Sequence, residues 1–379
     1  MQLTLVHLAG AEGQPVLVVG PSLGTSVTAL WDQAAALLGD RFHVVGWELP
    51  GHGHGAPATE SFTIADLAAG VVDAVDRTLG TSSGNVRFGY AGDSVGGAVG
   101  LQLALDVPDR MTGVVVCCTG ARIGAAEAWA QRAATVRASG TPAVVEASAQ
   151  RWFGTGFLER EPEVGTALLS SLQHADAESY ALVTDALGAF DVRDRLGEID
   201  VPVLAVGGAE DVPTPAAILR EHAAKIPGAR FVELDGVAHL VPAEAPRTVA
   251  SLVEAHLGHD PKPAGMTVRR QVLGDAHVDR AQAGITEVTA DFQDFISRYA
   301  WGEIWTRPGL ARRDRSIAVL TALVAGRHFE ELEFHLRAAL RNGLTKTEIV
   351  EVLLQSAVYV GVPAANTAFG VARHVLAEE

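Results

Sequence analysis

Three residues far apart in this chain are of the types that together turn a serine hydroxyl into a nucleophile: Ser94, Asp211 and His239. A hydroxyl is a weak nucleophile. It needs a base beside it, and the base needs an acid to orient it. Ser94 stands in G-D-S-V-G, with Gly92 and Gly96 two residues to either side. The strand-like run VRFGYAG (86–92) enters the motif, and VGGAVGLQLAL (95–105) leaves it with a helical pattern. A serine on so tight a strand-to-helix turn has strained backbone. The strand and helix then approach so closely that the flanking positions must be tiny. Glycine and serine also make ordinary turns, so the partners decide the reading.

Both partners follow strand-like runs. Asp211 lies in GGAEDVPTP after VPVLAVGG (201–208), and His239 lies in LDGVAHLVPAEAP after ARFVELDG (229–236). Of 13 histidines, His239 is the one placed after the last predicted strand of the sheet. Asp211 also reads as a turn residue before Pro213, and Glu210 competes for the orienting role. A tetrahedral intermediate needs donors for its oxyanion. The backbone N–H of Val95, the residue after the serine, is one candidate. The amide of Leu23, in the loop PSLGTS after VLVVG (16–20), is the other.

These residues need a sheet edge on which to meet. VLVVG (16–20), FHVVGWELP (42–50), VRFGYAG (86–92), GVVVCC (113–118), VPVLAVGG (201–208) and ARFVELDG (229–236) are short apolar runs rich in β-branched residues. Ala-rich segments with apolar spacing near 3.6, such as SVTALWDQAAALL (26–38) and TIADLAAGVVDAVDRTL (63–79), lie between them. This alternation predicts a mostly parallel sheet covered by helices over residues 1–257. Residues 123–196 break the rhythm with helical patterns and no strand, and read as a cap over the sheet's C-terminal edge. LGHDPKPAG (257–265) reads as a linker, placed at 258–265. Residues 266–379 then read as a small all-α domain. Thr345 and Glu348 form a candidate capping box, and Gly343 a helix stop.

Composition narrows the partners. The formal net charge is −16, which argues against nucleic acid and against an anionic membrane surface. The excess is uneven: residues 266–379 hold 13 basic against 14 acidic side chains. No apolar run is long enough to span a membrane, and the N-terminus lacks the pattern of a signal peptide. Cys117 and Cys118 are adjacent and are the only cysteines. They supply neither a disulfide framework nor a metal cage, and a reducing cytoplasm is expected. No metal site and no cofactor are expected.

In the helical part, Glu331 and His335 are four apart and share a helix face. They form either a proton-handling pair or a surface ion pair. YAWGEIWTRPGLARRDRS is dense in aromatic and basic residues.

Two resemblances sharpen this picture. Residues 1 to about 257 resemble the α/β-hydrolases, and more narrowly the 3-oxoadipate enol-lactone hydrolases. The matching strings are SLGTS (22–26), PGHGHG (50–55), G-D-S-V-G, ARIGAAEAW (121–129), RWFGTGF (151–157), GAEDVPTP and IPGARFVELDGVAHL. Val95 replaces the methionine usual after the serine. Residues 266–379 resemble the 4-carboxymuconolactone decarboxylases of the alkylhydroperoxidase-like all-α class. There the strings are VRRQVLGDAHVDRA, YAWGEIWTRPGL, RRDRSIAVLTAL, HLRAALRNGLTKTEI and AVYVGVPAANTAF. The redox members of that class carry C-x-x-C ahead of the histidine. Here RHFEELEFH has no cysteine, and thiol peroxidase chemistry needs one.

The resemblances imply a cofactor-free decarboxylation followed by a serine-dependent lactone hydrolysis. They imply small lactone carboxylates as substrates. Arg122, Arg137 and Arg151 of the cap are then candidates to pair with the carboxylate, and Trp129 and Trp152 to wall the pocket. His335, oriented by Glu331, is the candidate acid of the decarboxylase. Glu303, Arg312, Arg313 and Arg315 are candidate substrate contacts, although Arg312 and Arg313 also suit a helix start. A homo-oligomer through the helical domain is expected by family analogy. The competing expectation is a general carboxylesterase fused to a helical assembly domain.

Overall fold

The computed structural model describes residues 1–80, 86–258 and 261–378. The chain divides into two compact units, Met1–Gly258 and His259–Glu379. In the first, seven strands form one sheet: β1 (Leu5–Ala9), β2 (Val16–Gly20), β3 (His43–Trp47), β4 (Phe88–Asp93), β5 (Met111–Cys117), β6 (Val203–Gly208) and β7 (Arg230–Leu234). Their order is β1-β3-β2-β4-β5-β6-β7. β1 pairs antiparallel with β3, and every other pairing is parallel. The central strands β4 and β6 are buried along their whole length, which is why they read as unbroken apolar runs. β1 was not among the predicted strands. Its residues LVHLA are half-exposed at the sheet's edge and carry no continuous apolar signal.

Parallel pairing brings the C-terminal ends of β4, β6 and β7 to one edge. The loops that follow them carry Ser94, Asp211 and His239. Between β5 and β6 the described chain holds no strand. It forms the helices Ala126–Ser139, Val145–Trp152, Phe157–Arg160, Pro162–His174 and Ala177–Ala189.

The turn at Ser94 is the tightest part of the unit. Ser94 has φ 53° and ψ −114°, a conformation L-residues rarely adopt. A Cβ on Gly92 would lie 2.3 Å from the carbonyl oxygen of Gly96, and one on Gly96 would lie 2.7 Å from the Gly20 carbonyl carbon. Only hydrogen atoms fit there. Three hydrogen bonds fix the crossing. Ser94 N–H donates to Cys117 O at 2.9 Å, Gly96 N–H to Pro21 O at 3.0 Å, and Thr119 Oγ1 to Ser94 O at 2.7 Å. Beneath them Trp47 Nε1 donates to the Tyr90 hydroxyl, which donates to Gly96 O.

The second unit is helical throughout its described residues. Its helices are Pro261–Leu273, Asp275–Ala283, Ala290–Ile296, Arg312–Gly326, Phe329–Arg341, Lys346–Val360 and Val362–Glu378. A π-helical stretch, Ser297–Ile304, continues from the third of these. Leu320, Leu332, Leu336, Leu353 and Val375 form one core, and Val272, Val278, Trp301 and Ala338 a second. Thr345 and Glu348 make the capping box in both directions. Gly343 takes φ +98°. Among the described residues no helix is long and apolar enough to cross a membrane.

The linker reading of 258–265 gives way at Pro261, where a helix begins. Prolines at 261 and 263 fall in the first helical turn, whose N–H groups have no intrahelical acceptor, so the missing donors cost nothing. Residues 259 and 260 lie outside the described residues.

Gly96→Ala is expected to destabilise the first unit by roughly 3 kcal/mol or more, through overpacking against backbone. Gly370→Ala is the control, because its site in the helix Val362–Glu378 has no atom within 4 Å of an added Cβ. It is expected to stabilise the second unit by up to about 1 kcal/mol. Denaturant unfolding followed separately for the two units checks both.

Candidate active site

Ser94 Oγ lies 3.0 Å from His239 Nε2, and His239 Nδ1 lies 3.0 Å and 3.1 Å from the two Asp211 oxygens. All three side chains are buried. Burial raises the Asp211 pKa, but the charge of His239 and the hydrogen bonds from His239 and Thr214 outweigh it and hold the carboxyl below its ordinary value. Thr214 N–H donates to Asp211 Oδ1 at 3.0 Å and its hydroxyl donates to Oδ2 at 2.6 Å. The turn that Asp211 was expected to make is therefore also what steers its carboxylate. The sequence reading passed over Thr214, three residues on in the quoted GAEDVPTP. Glu210 is committed elsewhere: it is exposed and accepts both the amide and the hydroxyl of Thr155. His239 is held from behind by its own amide, which donates to Trp152 O at 3.0 Å.

Val95 is the first residue of its helix, so its N–H has no acceptor within that helix. The Leu23 amide takes no part in the turn around it, where Ser22 N–H donates to Thr25 Oγ1 and Thr25 N–H to Ser22 O. The loop is anchored by Glu48. This fully buried carboxylate accepts the Val27 N–H at the start of the helix Val27–Leu38.

Ser94 and His239 open into a pocket lined also by Leu23, Trp129, Arg132, Ser148, Arg151 and Trp152. Trp129 and Trp152 are among its lining residues. The arginines are not all so. Arg151 reaches the pocket and has no hydrogen bond or ion pair among the described residues; burial and then the charge of Arg132 lower its pKa. Arg137 is instead ion-paired with Glu178 and Asp185 outside the pocket. Arg122 is exposed and lends its charge to Asp191. The residue missed was Arg132, whose guanidinium donates to Tyr180 Oη at 2.7 Å and Ser148 Oγ at 2.9 Å. Helical phase explains the exchange. Trp129, Arg132, Ala133 and Val136 lie on one face of their helix, and Arg137 is about 100° away from Val136.

Cys118 Sγ, Asp211 and His239 offer ligand atoms within 4.8 Å of one another. Burial, then the charges of Asp211 and Asp93, push the thiol pKa well up, and Sγ donates to Ala238 O. A protonated thiol is a poor metal ligand.

In the second unit, His335 packs against Phe334, and burial and then the charge of His277 lower its pKa to about 4. It is therefore a neutral imidazole near pH 7, not the standing acid that the sequence reading expected. Glu331 is exposed. Its charge acts on His335, but no hydrogen bond joins them among the described residues. Arg312 donates to Gln271, Arg313 pairs with Glu348 and Asp314, and Arg315 donates to the carbonyls of Leu310 and Arg307. Glu303 is exposed. None of these four forms a hydrogen bond or ion pair with His335.

Residues 15–246 match the alpha/beta hydrolase fold family, and residues 290–374 the carboxymuconolactone decarboxylase family. The chain is 33% identical over 249 residues to the 3-oxoadipate enol-lactonase 2 of Acinetobacter baylyi, covering 65% of this chain and 90% of that protein. It is 46% identical over 111 residues to the 4-carboxymuconolactone decarboxylase of the same organism, covering 29% of this chain and 83% of that protein. The chain belongs to both families. Its hydrolase unit is also similar to the crystal structure of the enol-lactonase from Burkholderia xenovorans LB400, with TM-score 0.62 and 35% identity over 67% of this chain and 96% of that one.

The hydrolase unit holds two buried acids that its chemistry does not ionise freely. Burial raises Glu48 to about 7, against the hydrogen bond from the Val27 amide. Burial, then the charge of Asp211, raises Asp93 well above its usual value. An acid with a raised folded pKa binds its proton more tightly folded than unfolded. Stability is then full below its ordinary pKa and is lost as pH rises towards the folded value. Between pH 4.5 and about 7, Glu48 is expected to cost the hydrolase unit up to about 3 kcal/mol. The free energy of unfolding measured across this range should decline in the unaltered protein and decline less in Glu48→Gln.

Proposed function

We propose that this chain decarboxylates 4-carboxymuconolactone in its helical unit and hydrolyses the resulting 3-oxoadipate enol-lactone to 3-oxoadipate in its hydrolase unit. The observation that carries the reading is the joining, in one polypeptide, of units akin to an enol-lactonase and to a carboxymuconolactone decarboxylase. The product of one named reaction is the substrate of the other, which explains why two unrelated folds share a chain.

In the hydrolase unit Ser94 Oγ attacks the lactone carbonyl while His239 Nε2 takes its proton. The amides of Leu23 and Val95 receive the oxyanion. Collapse of the intermediate breaks the ring C–O bond, and His239 returns the proton to the departing enol oxygen. No fragment leaves, because the enol is tethered to the new ester; it tautomerises to the ketone. His239 then activates a water that hydrolyses the ester and frees Ser94. Asp211 keeps the imidazole oriented throughout and stabilises its charged form.

The substrate's carboxylate needs positive charge, and an acidic protein must supply it locally. Arg151 and Arg132, which line the pocket, provide it. Trp129 and Trp152 cover the apolar faces of the ring. In the helical unit, loss of CO₂ leaves an electron pair that spreads through the conjugated lactone, and a proton quenches it. Neither step calls for a cofactor.

A homo-oligomer forms through the helical unit. The support is its bare apolar surface: Val358 and Tyr359 are more than three-quarters exposed, with Leu354, Phe292 and Phe295 also open. Side chains of this kind are ordinarily covered by another protein surface. The reading places the protein in the cytoplasm, where the buried thiols of Cys117 and Cys118 remain reduced.

Supplying 4-carboxymuconolactone to the intact protein and to Ser94→Ala tests the order of events. The unaltered protein is expected to yield CO₂ and 3-oxoadipate. The variant is expected to release CO₂ at the same rate and to accumulate the enol-lactone, with 3-oxoadipate appearing only at the spontaneous rate. Rapid 3-oxoadipate formation by the variant contradicts the assignment of Ser94. A general esterase with a helical scaffold would instead release no CO₂ at all.

A further inference from the structure

Arg269, in the helix Pro261–Leu273, is 4% exposed, yet it has no carboxylate partner among the described residues. Among the described residues its side chain makes two hydrogen bonds, both from Nη1 to neutral acceptors and both long: 3.3 Å to Gln293 Oε1 and 3.4 Å to Ser297 Oγ. Nε is buried with no partner among the described residues. A guanidinium that cannot shed its proton is expensive to bury without an anion. The expense is justified where the anion arrives as a ligand.

The surroundings fit a ligand site. Ser297 opens the π-helical stretch Ser297–Ile304, and π-turns are rare elements that concentrate at functional sites. The helix of Arg269 packs against that stretch, against Asp275–Ala283, which carries His277, and against Phe329–Arg341, which carries His335. The His277 and His335 rings lie 4.7 Å and 4.6 Å from the Phe334 ring. Burial, then the charge of Arg269, lowers the pKa of His277. The arrangement is a fixed cation acting on His277, with the Phe334 ring against both imidazoles.

We propose that Arg269 binds the carboxylate that 4-carboxymuconolactone retains through the reaction, and that His277 and His335 deliver the proton replacing the departing CO₂. This inference rests on the decarboxylase reading above and gives it a site. The arginine must hold the retained carboxylate. A guanidinium on the departing one would stabilise the charge the reaction has to remove. The bond to the leaving carboxylate breaks as CO₂ forms, and its electron pair enters the conjugated lactone. One proton, taken up from water by an imidazole and passed to the ring carbon, completes the enol-lactone. Two negative charges on the incoming substrate raise the proton affinity of both imidazoles, so the acid forms on binding.

The test uses the full chain as Arg269→Met and Arg269→Lys. CO₂ release from 4-carboxymuconolactone, hydrolysis of separately supplied enol-lactone, thermal unfolding and particle mass are measured together. Arg269→Met is expected to lower kcat/KM for CO₂ release by about 100-fold, in line with losing charge-assisted hydrogen bonds. It should keep lactone hydrolysis and particle mass, and should unfold no earlier, because a buried charge has been removed. Arg269→Lys should recover part of the loss. CO₂ release by Arg269→Met at the unaltered rate overturns the site while leaving the decarboxylase reading intact. Early unfolding or dissociation of Arg269→Met, with Arg269→Lys equally inactive, makes the arginine structural and also overturns it. Absence of CO₂ release by the unaltered protein removes the decarboxylase reading itself.

Discussion

The hydrolase unit is organised around one strained residue. Ser94 is held at positive φ because β4 must end and a helix must begin within a single residue. Strain of this kind persists only where the surroundings over-determine it. Here Gly92 and Gly96 remove the clashes, Thr119 and Cys117 fix the two ends of the peptide, and the Trp47–Tyr90–Gly96 chain locks the helix start from below. The hydroxyl is thereby presented above the sheet edge, where the loops after β6 and β7 bring Asp211 and His239. The same turn leaves the Val95 amide without a helical acceptor, so the nucleophile and one oxyanion donor arise from one backbone constraint.

Environment assigns different duties to similar groups. Asp93 and Asp211 are both buried, yet His239 and Thr214 hold the Asp211 carboxyl below its ordinary pKa while burial pushes Asp93 well above its own. Glu48 is an intermediate case, with one oxygen on the Val27 amide and the other unpaired. Positive charge is rationed in the same way. Many arginines of this acidic chain pair with carboxylates or carbonyls, whereas Arg151 faces the pocket and Arg269 is buried beside Gln293 and Ser297, neither with an anionic partner among the described residues.

The parallel sheet, the elbow and the order Ser94, Asp211, His239 were legible in the sequence because they rest on short-range patterns: apolar runs, glycines at fixed offsets, and loops after strands. β1 was not, since a half-exposed edge strand has little periodic signal. Arg137 was named and Arg132 was not, because charge can be read from a sequence, but which way a helix turns its face has to be counted from a partly buried neighbour such as Trp129. Pro261 and Pro263 suggested a flexible link, yet prolines are equally at home in a first helical turn. In the second unit the sequence pointed to His335 and did not single out Arg269. Arg269 stands next to Arg270, which pairs with Asp275 and Asp279 at the surface, and nothing local tells a buried arginine from its exposed neighbour.

The account stands on Ser94 being an activated nucleophile in this geometry. An alkyl fluorophosphonate tests that directly, since an activated serine Oγ displaces fluoride from phosphorus and an ordinary hydroxyl does not. After treatment, peptide mass spectrometry is expected to find the phosphonyl group on Ser94, with enol-lactone hydrolysis lost and CO₂ release intact. A protein that still hydrolyses the enol-lactone, or that loses hydrolysis with Ser94 unmodified, contradicts the account.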